Sequence, residues 1–138
     1  MTYAGGVGLN MVLKHIIMRP RPYVAWEAIL NLGGSTGYSM PSGHANSAMI
    51  IAVFISYLAI KHGKSKWTKV CVPIIMSLYF ATICLSRIFL GQHYLTDVIA
   101  GGCEGIIVAL IGIMLYNLVL KKRKINGKTN KIESDNNK

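Results

Sequence analysis

Nine side chains in this chain of 138 residues suit one kind of chemistry: Lys14, Arg19, Arg21, Ser42, His44, Ser86, Arg87, His93 and Asp97. Arginine offers a bidentate fork to phosphate and lysine adds a point charge. Two histidines, one followed by a carboxylate, supply a nucleophile and an acid. Cations with such a pair describe phosphoryl transfer. Asp97 follows His93 by four residues, which on a helix puts both on one face. A carboxylate there can hold the Nδ1–H of His93 and leave Nε2 free to attack. This is the orienting logic of a catalytic triad moved onto histidine. Ser42-Gly43-His44 follows Pro41 and opens an apolar run. The N–H groups of a helix's first turn face an anion, and His44 is then placed to protonate a leaving oxygen.

Each residue also has a plainer reading. A lone histidine at a helix end is ordinarily a cap or an interfacial group. Arg19 and Arg21 could anchor in lipid headgroups, and Lys14 could snorkel. These readings weaken when all the groups collect on one membrane face. Glu104 lies seven residues after Asp97, on the same helical face; a structural pairing with a serine or histidine is favoured over a substrate contact. His15 and His62 have no evident partner and read as solvated or interfacial. Gly33-Gly34-Ser35-Thr36-Gly37 lacks the lysine and the flanking strand and helix of a phosphate-binding loop, so it reads as a linker. Cys71, Cys84 and Cys103 read as small buried apolar residues, neither a disulfide framework nor a metal site.

The elements that must position these groups are apolar helices. Hydrophobic residues make up 52% and charged residues 14%, against about 25% charged in a soluble domain. Uncharged runs cover Ala45–Ile60 and Val70–Leu85, and Tyr94–Leu120 carries only Asp97 and Glu104. Spanning helices need roughly 17–25 residues. Thr2–Met18, interrupted by Lys14, makes a fourth candidate. Met18-Arg19-Pro20-Arg21-Pro22 ends it, because proline disfavours helix at the residue before it. A short interfacial helix is expected over Tyr23–Leu32. Gly101, Gly105 and Gly112 form a small-residue face that permits close helix packing. Of the net charge of +10, the stretch 61–69 and the tail 121–138 supply +9. Charge confined to hydrophilic breaks between apolar runs is the pattern of cytoplasmic loops, not of a nucleic-acid-binding face. The expected chain is an all-α polytopic membrane bundle of about four crossings, with both ends cytoplasmic. Residues 1–120 are the membrane-embedded domain and 121–138 a disordered basic tail. Residues 19–44 and 86–97 then share the outer face.

The motifs resemble a known family. Lys14, six residues, then Arg21-Pro22; Pro41-Ser42-Gly43-His44; and Ser86-Arg87, five residues, His93, three residues, Asp97 look like the three motifs of the type 2 phosphatidic acid phosphatase superfamily. The resemblance covers residues 14–97 directly. It implies that His93 attacks phosphorus and forms a phosphohistidine, that Asp97 orients it, and that His44 protonates the leaving group and then helps activate water. It implies that Lys14, Arg21 and Arg87 hold the phosphoryl oxygens, with Ser42 and the Gly43 amide assisting, and that no metal or other cofactor is needed. The implied substrate is a lipid phosphate or isoprenyl pyrophosphate (undecaprenyl pyrophosphate, phosphatidic acid or phosphatidylglycerol phosphate). The charge pattern sets the expected location as the extracytoplasmic face of a cell membrane, and the basic tail and small single-domain core favour a bacterial inner membrane. Membrane members of the family usually have six spanning helices, so the chain resembles that core without its first two. A truncated, non-catalytic helix-bundle protein that retains the motifs is the alternative.

Overall fold

The computed structural model describes residues 2–26 and 28–136. Its helices are α1 (Thr2–Ile17), α2 (Pro22–Ala25), α3 (Gly43–His62), α4 (Lys66–Phe89) and α5 (Leu95–Asn136), and the described residues contain no strand. Three helices are long and apolar enough to cross a membrane: α3, α4 and the Leu95–Lys124 part of α5, with mean hydropathies of 1.5, 1.8 and 2.3. The 16 residues of α1 make a shorter fourth helix.

Local sequence explains the boundaries. Ser42 caps α3 by accepting the Ala45 N–H on its hydroxyl, and Ser65 caps α4 by accepting that of Trp67, each satisfying a first-turn donor. At the start of α5, Asp97 accepts the Tyr94 N–H on Oδ2 at 2.9 Å. An acidic side chain in the first turn reaches back to the N–H just outside the helix, one half of a capping box.

α3 is central, packed against α1, α4 and α5. Its contact face is built from small residues, Ala45, Ala48 and Ala52, all buried. Small residues on α5 meet it: a Cβ on Gly101 would stand 2.4 Å from the Ser42 carbonyl oxygen, and one on Gly105 would stand 2.7 Å from that of Asn46. The glycine face expected from the sequence therefore sets the α3–α5 distance. No residue of α4 is buried. In a bilayer the lipid covers what a soluble core would, and helices join by close van der Waals packing.

Four expectations change. The interfacial helix is one turn, Pro22–Ala25, rather than Tyr23–Leu32. Cys71 and Cys103 are exposed and Cys84 is half-buried, so they are free thiols on outward faces rather than buried residues. An apolar environment here means lipid as much as protein. His15 has partners: Nδ1 lies 2.8 Å from the Met11 carbonyl and its ring meets Tyr38 edge-on. No helix end marks the boundary at Leu120: α5 continues to Asn136, through residues expected to be unstructured. Extending a nucleated helix costs little, and lysine and arginine are good helix formers. Residues 137–138 of that tail lie outside the described residues.

Candidate active site

The three sequence motifs arrive from four directions. Lys14 comes from the last turn of α1, Arg21 from the residue capping α2, His44 from the first turn of α3, and His93 from the turn before α5. All four line one cavity of about 590 Å³, together with Gly43. Asn10 and Asn46 add polar surface to its wall, and Val7, Met11, Ile51 and Ile83 add apolar surface.

The segment read as a linker does more than connect. Its carbonyls aim the cations. Lys14 Nζ donates to the Tyr38 oxygen at 2.8 Å. Arg21 is 6% exposed. It donates through Nε to Gly37 O at 2.9 Å, through Nη2 to Thr36 O at 3.0 Å and through Nη1 to Gln92 O at 3.1 Å. Fixing a guanidinium in this way removes the rotamer freedom that a flexible arginine would lose on holding an anion. Gln92 is fully buried and ties the loop to the His93 turn, since its Nε2 donates to Asn31 Oδ1 at 2.7 Å. Gly91 has φ +66° and a Cβ there would stand 2.6 Å from Ile29 Cγ2, so the turn needs glycine for conformation and for space.

His93 is buried, and its Nδ1 lies 3.6 Å from Asp97 Oδ2. That exceeds hydrogen-bond length, and Nδ1 has no partner. The pair does not share a helix face as the four-residue spacing suggests, because α5 begins at Leu95. The Tyr94–Asp97 cap instead swings the carboxylate back toward the preceding turn. Burial holds the His93 imidazole below its ordinary pKa; Asp97 pulls it back up, and Arg21 and Lys14 add to the lowering. His44 is exposed at the cavity and close enough to Arg87, His93, Arg21 and Lys14 for their charges to act on it. Ser42 is fully buried; its N–H donates to the Asp97 carbonyl at 2.9 Å, locking the α3 start onto α5. Arg87, in the last turn of α4, donates through Nη2 to Ser86 Oγ at 3.2 Å, and its Nε is buried without a partner. Arg87, Ser42 and Asp97 do not line the cavity itself.

Three residues outside the motifs complete the arrangement. Arg19 donates to Asp97 Oδ1 at 2.8 Å. Gln92 supports Arg21. Asn10 donates to Glu104 Oε2 at 2.7 Å, so Glu104 is structurally paired, with an asparagine rather than a serine or histidine. Arg19 was visible in the sequence only as one more cation between Lys14 and Arg21; Gln92 and Asn10 carry no signal.

Comparison with known proteins fits this geometry. The PAP2 superfamily matches residues 1–123. Phosphatidylglycerophosphatase B of Bacillus subtilis (strain 168) is 36% identical over 102 residues, which are 72% of this chain and 47% of that protein. Sphingosine-1-phosphate phosphatase 1 of Rattus norvegicus is 32% identical over 111 residues, 80% of this chain and 25% of that protein. Among solved structures, a transmembrane PAP2-type phosphatidylglycerolphosphate phosphatase from Bacillus subtilis superposes with a TM-score of 0.73 at 30% identity, covering 86% of this chain and 57% of that one. Aquifex aeolicus LpxE gives 0.65 at 28% identity, covering 82% and 63%. The chain belongs to the PAP2 superfamily. It spans a quarter to a half of the length of these two curated relatives.

Proposed function

We propose that the chain is a membrane phosphatase that hydrolyses a lipid phosphate through a phosphohistidine, without a metal ion. The observation that carries this reading is the convergence of Lys14, Arg21, His44 and His93 on one cavity, with the fully buried Asp97 behind His93. Nε2 of His93 attacks phosphorus, and the bond from phosphorus to the leaving oxygen breaks. His44 gives that oxygen a proton. Water then attacks the phosphohistidine, His44 takes its proton, and the P–N bond breaks to release phosphate. Lys14, Arg21 and the start of α3 at Gly43 hold the phosphoryl oxygens in the cavity, while Arg87, behind its wall, adds positive charge and the buried Ser42 fixes the turn. Fixed cations of this kind do the neutralising that Mg²⁺ does in kinases.

The wall supports a lipid-borne substrate. Val7, Met11, Ile51 and Ile83 offer an apolar flank beside the cations, which suits a phosphate carried on a lipid. The named relatives act on sphingosine-1-phosphate and phosphatidylglycerophosphate. Phosphatidic acid, phosphatidylglycerol phosphate and undecaprenyl pyrophosphate are the candidates here. The basic stretches 61–69 and 121–138 support a cytoplasmic position for those segments and so an extracytoplasmic cavity.

Phosphate release by purified protein from this panel, in EDTA, is the test. Release is expected, with His93→Ala abolishing it. Loss on chelation with recovery in Mg²⁺ counts against the mechanism. No release from any lipid phosphate favours a non-catalytic bundle protein.

A further inference from the structure

Arg19 is a cation that the mechanism above leaves unused. It lies between α1 and α2, and its side chain is 32% exposed. It does not line the cavity, yet it is held in place on three sides. Nη1 donates to Asp97 Oδ1 at 2.8 Å and to Thr96 Oγ1 at 2.6 Å, and the guanidinium lies 4.0 Å over the Tyr94 ring. Its carbonyl accepts the Ser39 N–H at 2.9 Å, joining the same residue to the loop that aims Lys14 and Arg21. Asp97 is fully buried. One of its oxygens is thus taken by Arg19, and the other accepts the Tyr94 N–H and stands 3.6 Å from His93 Nδ1.

We propose that Arg19 is a positioning residue for His93: it pins Asp97 through Oδ1, turns Oδ2 toward Nδ1, and offsets the carboxylate charge that His93 feels. The inference rests on the reading of His93 as the nucleophile. The charged and titratable groups near His93 are Lys14 from α1, Arg21 from the α2 cap, His44 from α3 and Asp97 from α5, with Arg87 of α4 acting on His44. Asp97 is the one anion in that set and favours imidazolium. The cations, and the burial of His93, favour the neutral ring that can attack. Arg19 tips the same balance, because a carboxylate already paired with a guanidinium stabilises a second cation less.

Removing that charge without removing the carboxylate should therefore shift His93 toward imidazolium. The test compares Arg19→Gln, Arg19→Lys, Asp97→Asn and the Arg19→Gln/Asp97→Asn double variant in detergent micelles. Two readouts are followed: the pH profile of kcat/KM on a lipid phosphate, and the NMR titration of the His93 ring, assigned by substitution. Arg19→Gln should raise the acid limb and the His93 midpoint by about one pH unit, with KM little changed. In the Asp97→Asn background the same change should move neither. Arg19→Lys keeps the charge and loses the planar seat over Tyr94, so its limb should stay in place while kcat falls. If Arg19→Gln does not fold, Arg19→Lys still decides: wild-type kcat in that variant overturns the proposal. So does an unmoved titration in Arg19→Gln, an equal shift in the Asp97→Asn background, or a raised KM with an unmoved profile. The titration needs no turnover. A protein that releases no phosphate but shows the shift would sink the proposed function and leave Arg19 in its role.

Discussion

Gly101→Ala puts one methyl group where the structure has no room for it. The added Cβ would stand 2.4 Å from the Ser42 carbonyl oxygen and 3.2 Å from Ala45 Cβ. The first neighbour is backbone, so no side-chain rotation relieves it. Carbon atoms in ordinary contact sit about 3.5–4.0 Å apart, so the start of α3 must retreat from α5 by roughly 1 Å. Overpacking of this kind costs about 1–3 kcal/mol. The local consequence is larger than the global one. Ser42 N–H bonds to the Asp97 carbonyl at 2.9 Å, so the retreat moves His44 relative to His93. A misplacement of about 1 Å can cost on the order of 10²-fold in rate. Gly5→Ala is the internal control, because a Cβ there meets nothing within 4 Å and the helix gains about 0.5–1 kcal/mol from the substitution. Thermal unfolding in detergent and phosphate release are measured on both. Gly101→Ala should melt earlier and lose activity beyond its loss of folded protein, while Gly5→Ala should melt no earlier than wild type. Matching behaviour in the two variants would refute the packing argument.

The remaining predictions concern chemistry and orientation. Because burial, Arg21 and Lys14 hold His93 below its ordinary pKa, the acid limb of kcat/KM should lie below pH ~6.5, the usual imidazole value; a limb above it contradicts the assigned environment. For stability, the fold binds His93's proton less readily than the unfolded chain, so this contribution is present above pH ~6.5 and is lost as pH falls from there through the lower folded value. His44→Ala should cost about 10²–10⁴-fold on an alkyl phosphate and much less on p-nitrophenyl phosphate, whose leaving group needs no proton; equal losses on the two substrates would remove His44 from the acid role. In a background lacking the native cysteines, Thr36→Cys should react with an impermeant thiol reagent on intact cells and Lys64→Cys only after permeabilisation. The reverse pattern would put the cavity on the other face.

Much of the fold was legible because its causes are local. The prolines at 20 and 22 ended α1, Ser42-Gly43-His44 marked the start of α3, and uncharged runs marked the helices. Gly101 and Gly105 could be read as packing residues because small side chains four apart have few other uses in an apolar helix. What failed was inference from apolarity to burial. Cys71 and Cys103 are apolar in surroundings and exposed in the bundle, and no whole residue of α4 is buried. Buried side chains include polar ones instead: Asn10, Arg21, Asn46, Gln92 and Glu104. In a chain whose solvent is lipid, hydropathy finds the helices but says little about which face meets another helix.

The candidate site shows a related limit. Spacing named His93 and Asp97 as neighbours, and they are neighbours, but by a different route. The spacing argument assumed one continuous helix, whereas the chain turns at Gly91 and starts α5 at Leu95. Asp97 meets His93 because its carboxylate folds back over the helix start to cap Tyr94 N–H. That motion leaves Oδ1 pointing away, toward a segment 78 residues earlier in the chain, where Arg19 meets it. The residue that pairs with the carboxylate could not be ranked from sequence, because nothing local to Arg19 distinguishes it from a headgroup anchor. Only the loop that returns through Ser39, pairing its N–H with the Arg19 carbonyl, brings that segment onto α5. A four-residue spacing therefore put the two side chains close together, while the charges around them were fixed by tertiary contacts from α1, α2 and the loop.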